Sequence, residues 1–171
     1  MARTPTKREI QAGDRVLVTG GVGGVGRHIV QALVDAGCEV RAVDLNDPDE
    51  NVAELVDLDA VEWVKTDLRS ARLSALVQDC AAVVHTAAMV GLSESYDELV
   101  ETNVDVVHDL YAAASDAGVR HFVHFSAGQI YEPARGLRDE GGNISPLILT
   151  KRPRSRARDF HRPPPALIGP S

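Results

Sequence analysis

Aromatic side chains are scarce in this sequence: one Trp, three Tyr and three Phe among 171 residues. A core with so few rings must be built from aliphatic side chains, so short Val-, Leu- and Ala-rich runs carry most of the structural signal. Cysteine is scarcer still. Cys38 and Cys80 cannot make a disulfide framework, and each lies beside an apolar run. They read as small core or near-core side chains in a reducing compartment. No apolar run approaches the length of a membrane span, and residues 1–14 lack the apolar centre of a signal peptide. The expectation is a cytoplasmic protein with no membrane partner. An excess of positive charge is also missing. The formal net charge is −7, which gives no overall reason to expect nucleic acid as a partner.

What is present fits one soluble domain: 44% hydrophobic and 25% charged residues, enough chain for one buried core but hardly two. The charge is unevenly spread. Residues 151–171 contain Lys151, Arg152, Arg154, Arg156, Arg158 and Arg162 against Asp159 alone. With Pro153 and three consecutive prolines from Pro163, this stretch has no apolar period and reads as a disordered basic tail. Engagement of an acidic partner or nucleic acid by the tail is the weakest reading, because charge runs are usually just solvated. The expected organisation is a flexible arm over 1–13, a domain over 14–150 and the tail over 151–171.

The most informative stretch is Val16–Gly26, V-L-V-T-G-G-V-G-G-V-G. An apolar run leads into glycines 20, 23 and 26, and a helical pattern follows. Gly20 allows a sharp turn out of a strand, Gly23 lets a pyrophosphate approach the backbone, and Gly26 lets the helix pack close to the sheet. Free N–H groups and the positive dipole end at the helix start would hold the phosphates. Asp44 closes the next apolar run, 24 residues after Gly20. An acid at the tip of a second strand accepts hydrogen bonds from a ribose and repels a 2′-phosphate. The cofactor expected is therefore NAD rather than NADP.

Further along, apolar runs alternate with helical patterns. Strands are predicted at Arg15–Thr19, Glu39–Asp44, Val61–Lys65, Ala81–Thr86 and Val119–Ser126. Helices are predicted at Gly24–Ala36, with Val25, Ile29, Ala32, Leu33 and Ala36 facing the sheet, at Asp49–Leu58, from an N-cap at Ser70 through Gln78, and at Leu99–Ala117. Gly37 and Gly118 are predicted C-caps. The alternation implies a parallel, doubly wound α/β sheet of Rossmann type.

The ordered series Thr19–Gly26, Asp44, Asp67-Leu68, His85-Thr86-Ala87-Ala88, Asn103-Val104 and Phe125-Ser126-Ala127-Gly128-Gln129-Ile130-Tyr131 resembles the NAD-dependent epimerase/dehydratase branch of the extended short-chain dehydrogenases/reductases. That family acts on nucleotide sugars. The resemblance implies that Gly20, Gly23, Gly24, Val25 and Gly26 surround the pyrophosphate and that Asp44 binds the adenosine ribose. It puts Asp67 and Leu68 at the adenine and Thr86, Ala87 and Ala88 beneath the middle of the cofactor, and assigns Asn103 to the same site. It also permits a homodimer through the 99–117 helix. Each residue has a plainer reading: Asp67 as a cap of the following helix, His85 as a strand-end histidine satisfied by backbone, Asn103 in a polar structural role, Trp63 and Phe122 as core.

The resemblance departs at the catalytic residues. The family uses a Tyr-x-x-x-Lys pair, in which lysine lowers the tyrosine pKa, and a Ser or Thr in the loop after the fifth strand. Here Ser145-Pro146-Leu147-Ile148-Leu149-Thr150-Lys151 aligns with that pair, so Lys151 is in place and Leu147 stands where tyrosine is needed. The hydroxyl position falls on Ala127, with Ser126 as a neighbouring substitute. The chain then reads as truncated after the fifth strand, leaving the sheet incomplete on its C-terminal side and one edge uncovered. Arg152-Pro153-Arg154, shifted by two bases, can encode Ala-Ala-Glu, so the tail is compatible with an out-of-frame translation. Two expectations follow: an epimerase/dehydratase with impaired chemistry, or a non-catalytic NAD-binding sensor or interaction module.

Overall fold

The computed structural model describes residues 9–90 and 95–126, and its regular elements all lie in the unit that ends at Phe125. Strands β1 (Arg15–Thr19), β2 (Glu39–Asp44), β3 (Val61–Lys65), β4 (Ala82–His85) and β5 (His121–His124) form one sheet in the order β3-β2-β1-β4-β5. Every pairing is parallel: Thr19 lies opposite Val43 on one side and His85 on the other, and His85 lies opposite His124. The chain winds outward from β1 to β3, then returns to lay β4 on the other side of β1. The carboxyl ends of β1 and β4 therefore flank the point where strand order reverses, which is where sheets of this kind open a ligand crevice.

The central strands are apolar on both faces because helices cover both. Side chains alternate along a strand, so Val16 and Val18 join Val30, Val52 and Val56 on one face. Leu17 and Val83 join Leu76, Val77, Leu110 and Ala114 on the other. Helices α1 (Gly26–Asp35) and α2 (Glu50–Ala53) supply the first layer, α3 (Leu73–Leu76) and α5 (Val106–Asp116) the second. Residues 9–13, expected within the loose arm, are tied down: Ile10 packs against the first cluster and the Gly13 N–H donates to the Gly37 carbonyl.

Both glycine caps form as expected. Gly37 and Gly118 have φ of +76° and +74°. In each case the glycine N–H and the next N–H close back on the last helical turn, Gly37 to Val34 and Cys38 to Leu33, Gly118 to Ser115 and Val119 to Ala114.

Several boundaries and one helix face differ from expectation. In α1 the inward residues are Gly26, Ile29, Val30, Leu33 and Val34, whereas Val25, Ala32 and Ala36 are exposed. The close seat of Gly26 on the glycine turn sets the rotation of the helix. The predicted helix over 49–58 is two pieces, α2 and a 3-10 turn at Leu58–Ala60, because Asp57 is extended and its side chain accepts the Asp59 N–H to start a new turn. Ser70 does not cap a helix; its hydroxyl donates to the Asp67 carbonyl, and α3 is a single turn. The Arg41 guanidinium on β2 donates to the Leu76 carbonyl at 2.8 Å, and Asp79 takes a left-handed φ of 62°, so the helix cannot run on to Gln78. The long helix begins earlier than Leu99, at α4 (Tyr96–Val100), where Ser95 and Glu98 form a reciprocal capping box. It passes through a π-helical turn, Glu101–Asp105, before α5.

Candidate functional site

The turn after β1 needs glycine for two different reasons. At Gly20, φ is +72° and an added Cβ would lie 2.8 Å from the Ala87 nitrogen and 2.9 Å from the Thr86 hydroxyl. At Gly26 a Cβ would lie 1.9 Å from the Gly20 carbonyl oxygen. Gly21, which the sequence reading did not single out, is equally constrained, since its Cβ would stand 2.9 Å from that of Ala42. These three glycines let the β4 loop, α1 and β2 close on the turn. Gly23 and Gly24 are different. Both are exposed; a Cβ at Gly23 would touch only the Gly20 oxygen, at 3.2 Å, and at Gly24 would meet nothing within 4 Å. Their outer faces are bare backbone, and the amides of Gly24 and Val25 have no backbone acceptor among the described residues. This is a cradle suited to a phosphate.

Asp44 closes β2 beside that turn. The Gly20 and Gly21 amides donate to the Val43 carbonyl at 2.7 and 3.2 Å, drawing the turn against the strand tip. One Asp44 oxygen then accepts the Val22 N–H at 3.1 Å and the other the Asn46 N–H at 3.1 Å. Two backbone donors thus fix the half-buried carboxylate, and its remaining lone pairs can accept from a ribose diol.

Asp67 and Leu68 follow β3. Leu68 packs on the second core cluster. The Asp67 carboxylate accepts the Arg69 N–H at 2.9 Å and its guanidinium at 2.6–3.1 Å. Those hydrogen bonds to Arg69 hold the Asp67 pKa below its ordinary value.

On the other flank, the Thr86 amide and hydroxyl both donate to the Thr19 carbonyl, at 3.1 and 2.7 Å. Ala87 is half-buried, Ala88 is exposed, and the Ala87 N–H donates to the Thr19 hydroxyl at 3.4 Å. Asn103 sits in the π-helical turn, and its side-chain amide clasps the backbone of one residue on both sides: it accepts the Met89 N–H at 2.7 Å and donates to the Met89 carbonyl at 2.9 Å. His85 is fully buried, and its partner is the Thr19 side chain rather than backbone. Ser126 is exposed just past β5. Lys151, Leu147, Ala127 and the tail lie outside the described residues.

A hollow of about 400 Å³ lies at the amino ends of the strands and is lined by Asp14, Arg15, Glu39, Asp79, Cys80 and Arg120. Four of these five charged residues pair with each other, Arg15 with Glu39 and Arg120 with Asp14. The carboxyl-end crevice is the better candidate because it combines bare glycine backbone with a positioned acid.

Known proteins resemble this chain in sequence and fold. The family model described as "NAD dependent epimerase/dehydratase family" matches residues 16–155. This chain belongs to that family. A dTDP-4-dehydro-6-deoxy-D-allose reductase from a Streptomyces species is 34% identical over 140 residues, which cover 75% of this chain and 43% of the reductase. A short-chain dehydrogenase/reductase superfamily protein from Agrobacterium tumefaciens, solved with bound NAD, is 34% identical with a TM-score of 0.60, over 69% of this chain and 34% of that one. A UDP-glucuronic acid 4-epimerase from Bacillus cereus, solved with NAD, is 28% identical with a TM-score of 0.69, over 78% and 46%. The chain thus spans less than half the length of each of these relatives.

Proposed function

We propose that this chain is an NAD-binding unit of the nucleotide-sugar epimerase/dehydratase type. The observation that carries the reading is the Asp44 carboxylate, fixed by the Val22 and Asn46 amides at the edge of a bare glycine cradle. Gly23 and Gly24 would take the pyrophosphate and Asp44 the adenosine ribose. Leu68 and Asp67 would lie towards the adenine, with Arg69 competing for the Asp67 carboxylate. Thr86, Ala87 and Ala88 would form the floor under the middle of the cofactor. NAD bound there would accept or return a hydride. The relatives named above support this reading, two of them having been solved with NAD and two being named for nucleotide-sugar substrates.

Proton transfer in this chain is impaired on the same reading, because Leu147 occupies the tyrosine position ahead of Lys151 and a leucine side chain cannot carry a proton. Ser126 remains as the candidate hydroxyl. The test is an NAD titration followed by Trp63 fluorescence, since Trp63 lies beneath the turn with its ring 3.5 Å from the position of a Gly21 Cβ. Saturable NAD binding without turnover of UDP- or dTDP-sugars is the expected result. Turnover at rates typical of enzymes (~1 per second or more) would overturn the impaired-chemistry claim, and absence of NAD binding by a folded sample would overturn the whole reading.

A further inference from the structure

His85 is fully buried at the carboxyl end of β4, one strand from the glycine turn, and no step proposed above uses it. Its Nδ1 lies 2.6 Å from the Thr19 hydroxyl, which is also fully buried. The direction of that hydrogen bond follows from a third group. The Ala87 backbone N–H points to the same hydroxyl oxygen at 3.4 Å, and an amide N–H only donates. The Thr19 oxygen accepts from Ala87 on one lone pair, and among the described residues His85 Nδ1 is the only acceptor within hydrogen-bond distance of its single proton, so that proton is directed to His85. The imidazole must then present a bare Nδ1 and carry its proton on Nε2. Nε2 is buried with no partner among the described residues, and the ring is covered by His124, stacked with centroids 5.3 Å apart and planes 21° apart.

We propose that neutral His85, held as the Nε2–H tautomer, is a positioning residue of the cofactor crevice: through Thr19 it fixes the Ala87 peptide against Gly20. The clearance there is small, since a Cβ on Gly20 would already lie 2.8 Å from the Ala87 nitrogen. A Thr19 hydroxyl free to rotate would present its proton to the Ala87 N–H in part of its rotamers. The β4 loop would then lift from the turn, carrying with it the floor assigned to the middle of NAD. A charged imidazole disfavours the arrangement in the same way, because an N–H at Nδ1 forces the Thr19 proton off its acceptor into an apolar surround. Burial, with His124 adding to it, lowers the His85 pKa to about 4, consistent with a ring that stays neutral at physiological pH. The inference rests on the NAD reading only for its functional consequence; the tautomer and the peptide it holds are properties of the chain alone.

The first measurement needs no cofactor. Long-range proton–nitrogen NMR of the full chain should find His85 unprotonated at Nδ1 and protonated at Nε2; a proton on Nδ1 would overturn the proposal. The second compares His85→Asn, whose Oδ1 can stand where Nδ1 stood, with His85→Phe, which keeps a ring but no acceptor, and with Thr19→Val. Loss of one neutral hydrogen bond is expected to speed Ala87 amide exchange roughly fivefold in His85→Phe and Thr19→Val, to weaken NAD binding by a similar factor, and to spare His85→Asn. The His85→Phe/Thr19→Val double variant should be no worse than either single one, as for two members of one relay. Equal effects of Asn and Phe at position 85, or additive effects in the double variant, would overturn it. If the unaltered chain binds no NAD, the proposed function fails, while the tautomer and the Ala87 exchange rates still decide the positioning role.

Discussion

Replacing Gly26 by alanine tests the seat of α1 on the glycine turn with a single methyl group. The new Cβ would lie 1.9 Å from the Gly20 carbonyl oxygen, 2.7 Å from its carbon and 3.1 Å from the Gly21 Cα. Carbon and carbonyl oxygen sit no closer than about 3.3 Å in ordinary contacts, so helix and turn must separate by more than ~1 Å. Both partners are backbone, and no rotamer change can absorb the movement. Overpacking a filled site typically costs ~1–3 kcal/mol, and this case belongs at the upper end or beyond. A domain of this size loses about 3–5 °C of melting temperature per kcal/mol, giving an expected fall of about 10 °C or more. Gly24→Ala is the matched control, because its Cβ meets nothing within 4 Å. Its melting temperature should stay within about 2 °C of the parent, as for a surface change of no more than ~0.5 kcal/mol. Calorimetry on both variants decides the matter. Equal losses in the two, or a Gly26→Ala melt indistinguishable from the parent, would refute the packing argument.

Three further outcomes are expected. Asn103→Ala removes both hydrogen bonds to the Met89 backbone; it should cost ~1–3 kcal/mol and raise amide exchange at Met89 without changing exchange in β1, which hydrogen-exchange mass spectrometry would reveal. Glu98→Ala opens the capping box and should lower the urea midpoint; no change would mean the first turn of α4 is held by packing alone. Acid should destabilise the fold through His85. Its folded pKa of about 4 lies below the ordinary 6.5, so its stabilising contribution is complete above pH 6.5 and is lost as pH falls to 4. The gap corresponds to ~3 kcal/mol. The Asp67 carboxyl, also held low by Arg69, loses its contribution at lower pH still. His85→Asn should flatten the unfolding free energy between pH 6.5 and 4, and an unchanged slope in that variant would sink the assignment.

The strands were the most legible part of the sequence. β1, β2 and β3 coincide with their predicted runs: β1 and β2 are largely buried between the two helix layers, whereas the edge strand β3 buries Val61 and leaves Glu62 and Lys65 exposed. β5 is shorter than its run: the Val119 N–H goes to Ala114 to finish the helix cap, leaving His121–His124 for the ladder. The start of α4 was readable as Ser95-x-x-Glu98, a pattern that outranks the apolar period beginning at Leu99. The end of α3 was not readable, because it depends on Arg41 reaching across from β2. The face of α1 was readable only in part: the period placed Ile29 and Leu33 inward correctly, but not Val30 and Val34, whose place follows from a contact between two glycine backbones that no periodicity records. At the site, the glycines and Asp44 were legible as types at a spacing. The Asn103–Met89 clasp and the His85–Thr19 pair join residues 14 and 66 apart; the parallel register brings the second pair together, and the first joins the loop after β4 to the π-helical turn.

The most direct measurement of the central claim is calorimetric titration of the folded chain with NAD and with NADP, repeated on Asp44→Ala. One NAD per chain should bind, with NADP weaker. Loss of the charge-assisted hydrogen bonds from Asp44 should weaken NAD roughly tenfold to a hundredfold and narrow the gap to NADP. Equal affinity of parent and variant for NAD, or no heat of binding at all, would contradict an adenosine ribose held at the tip of β2.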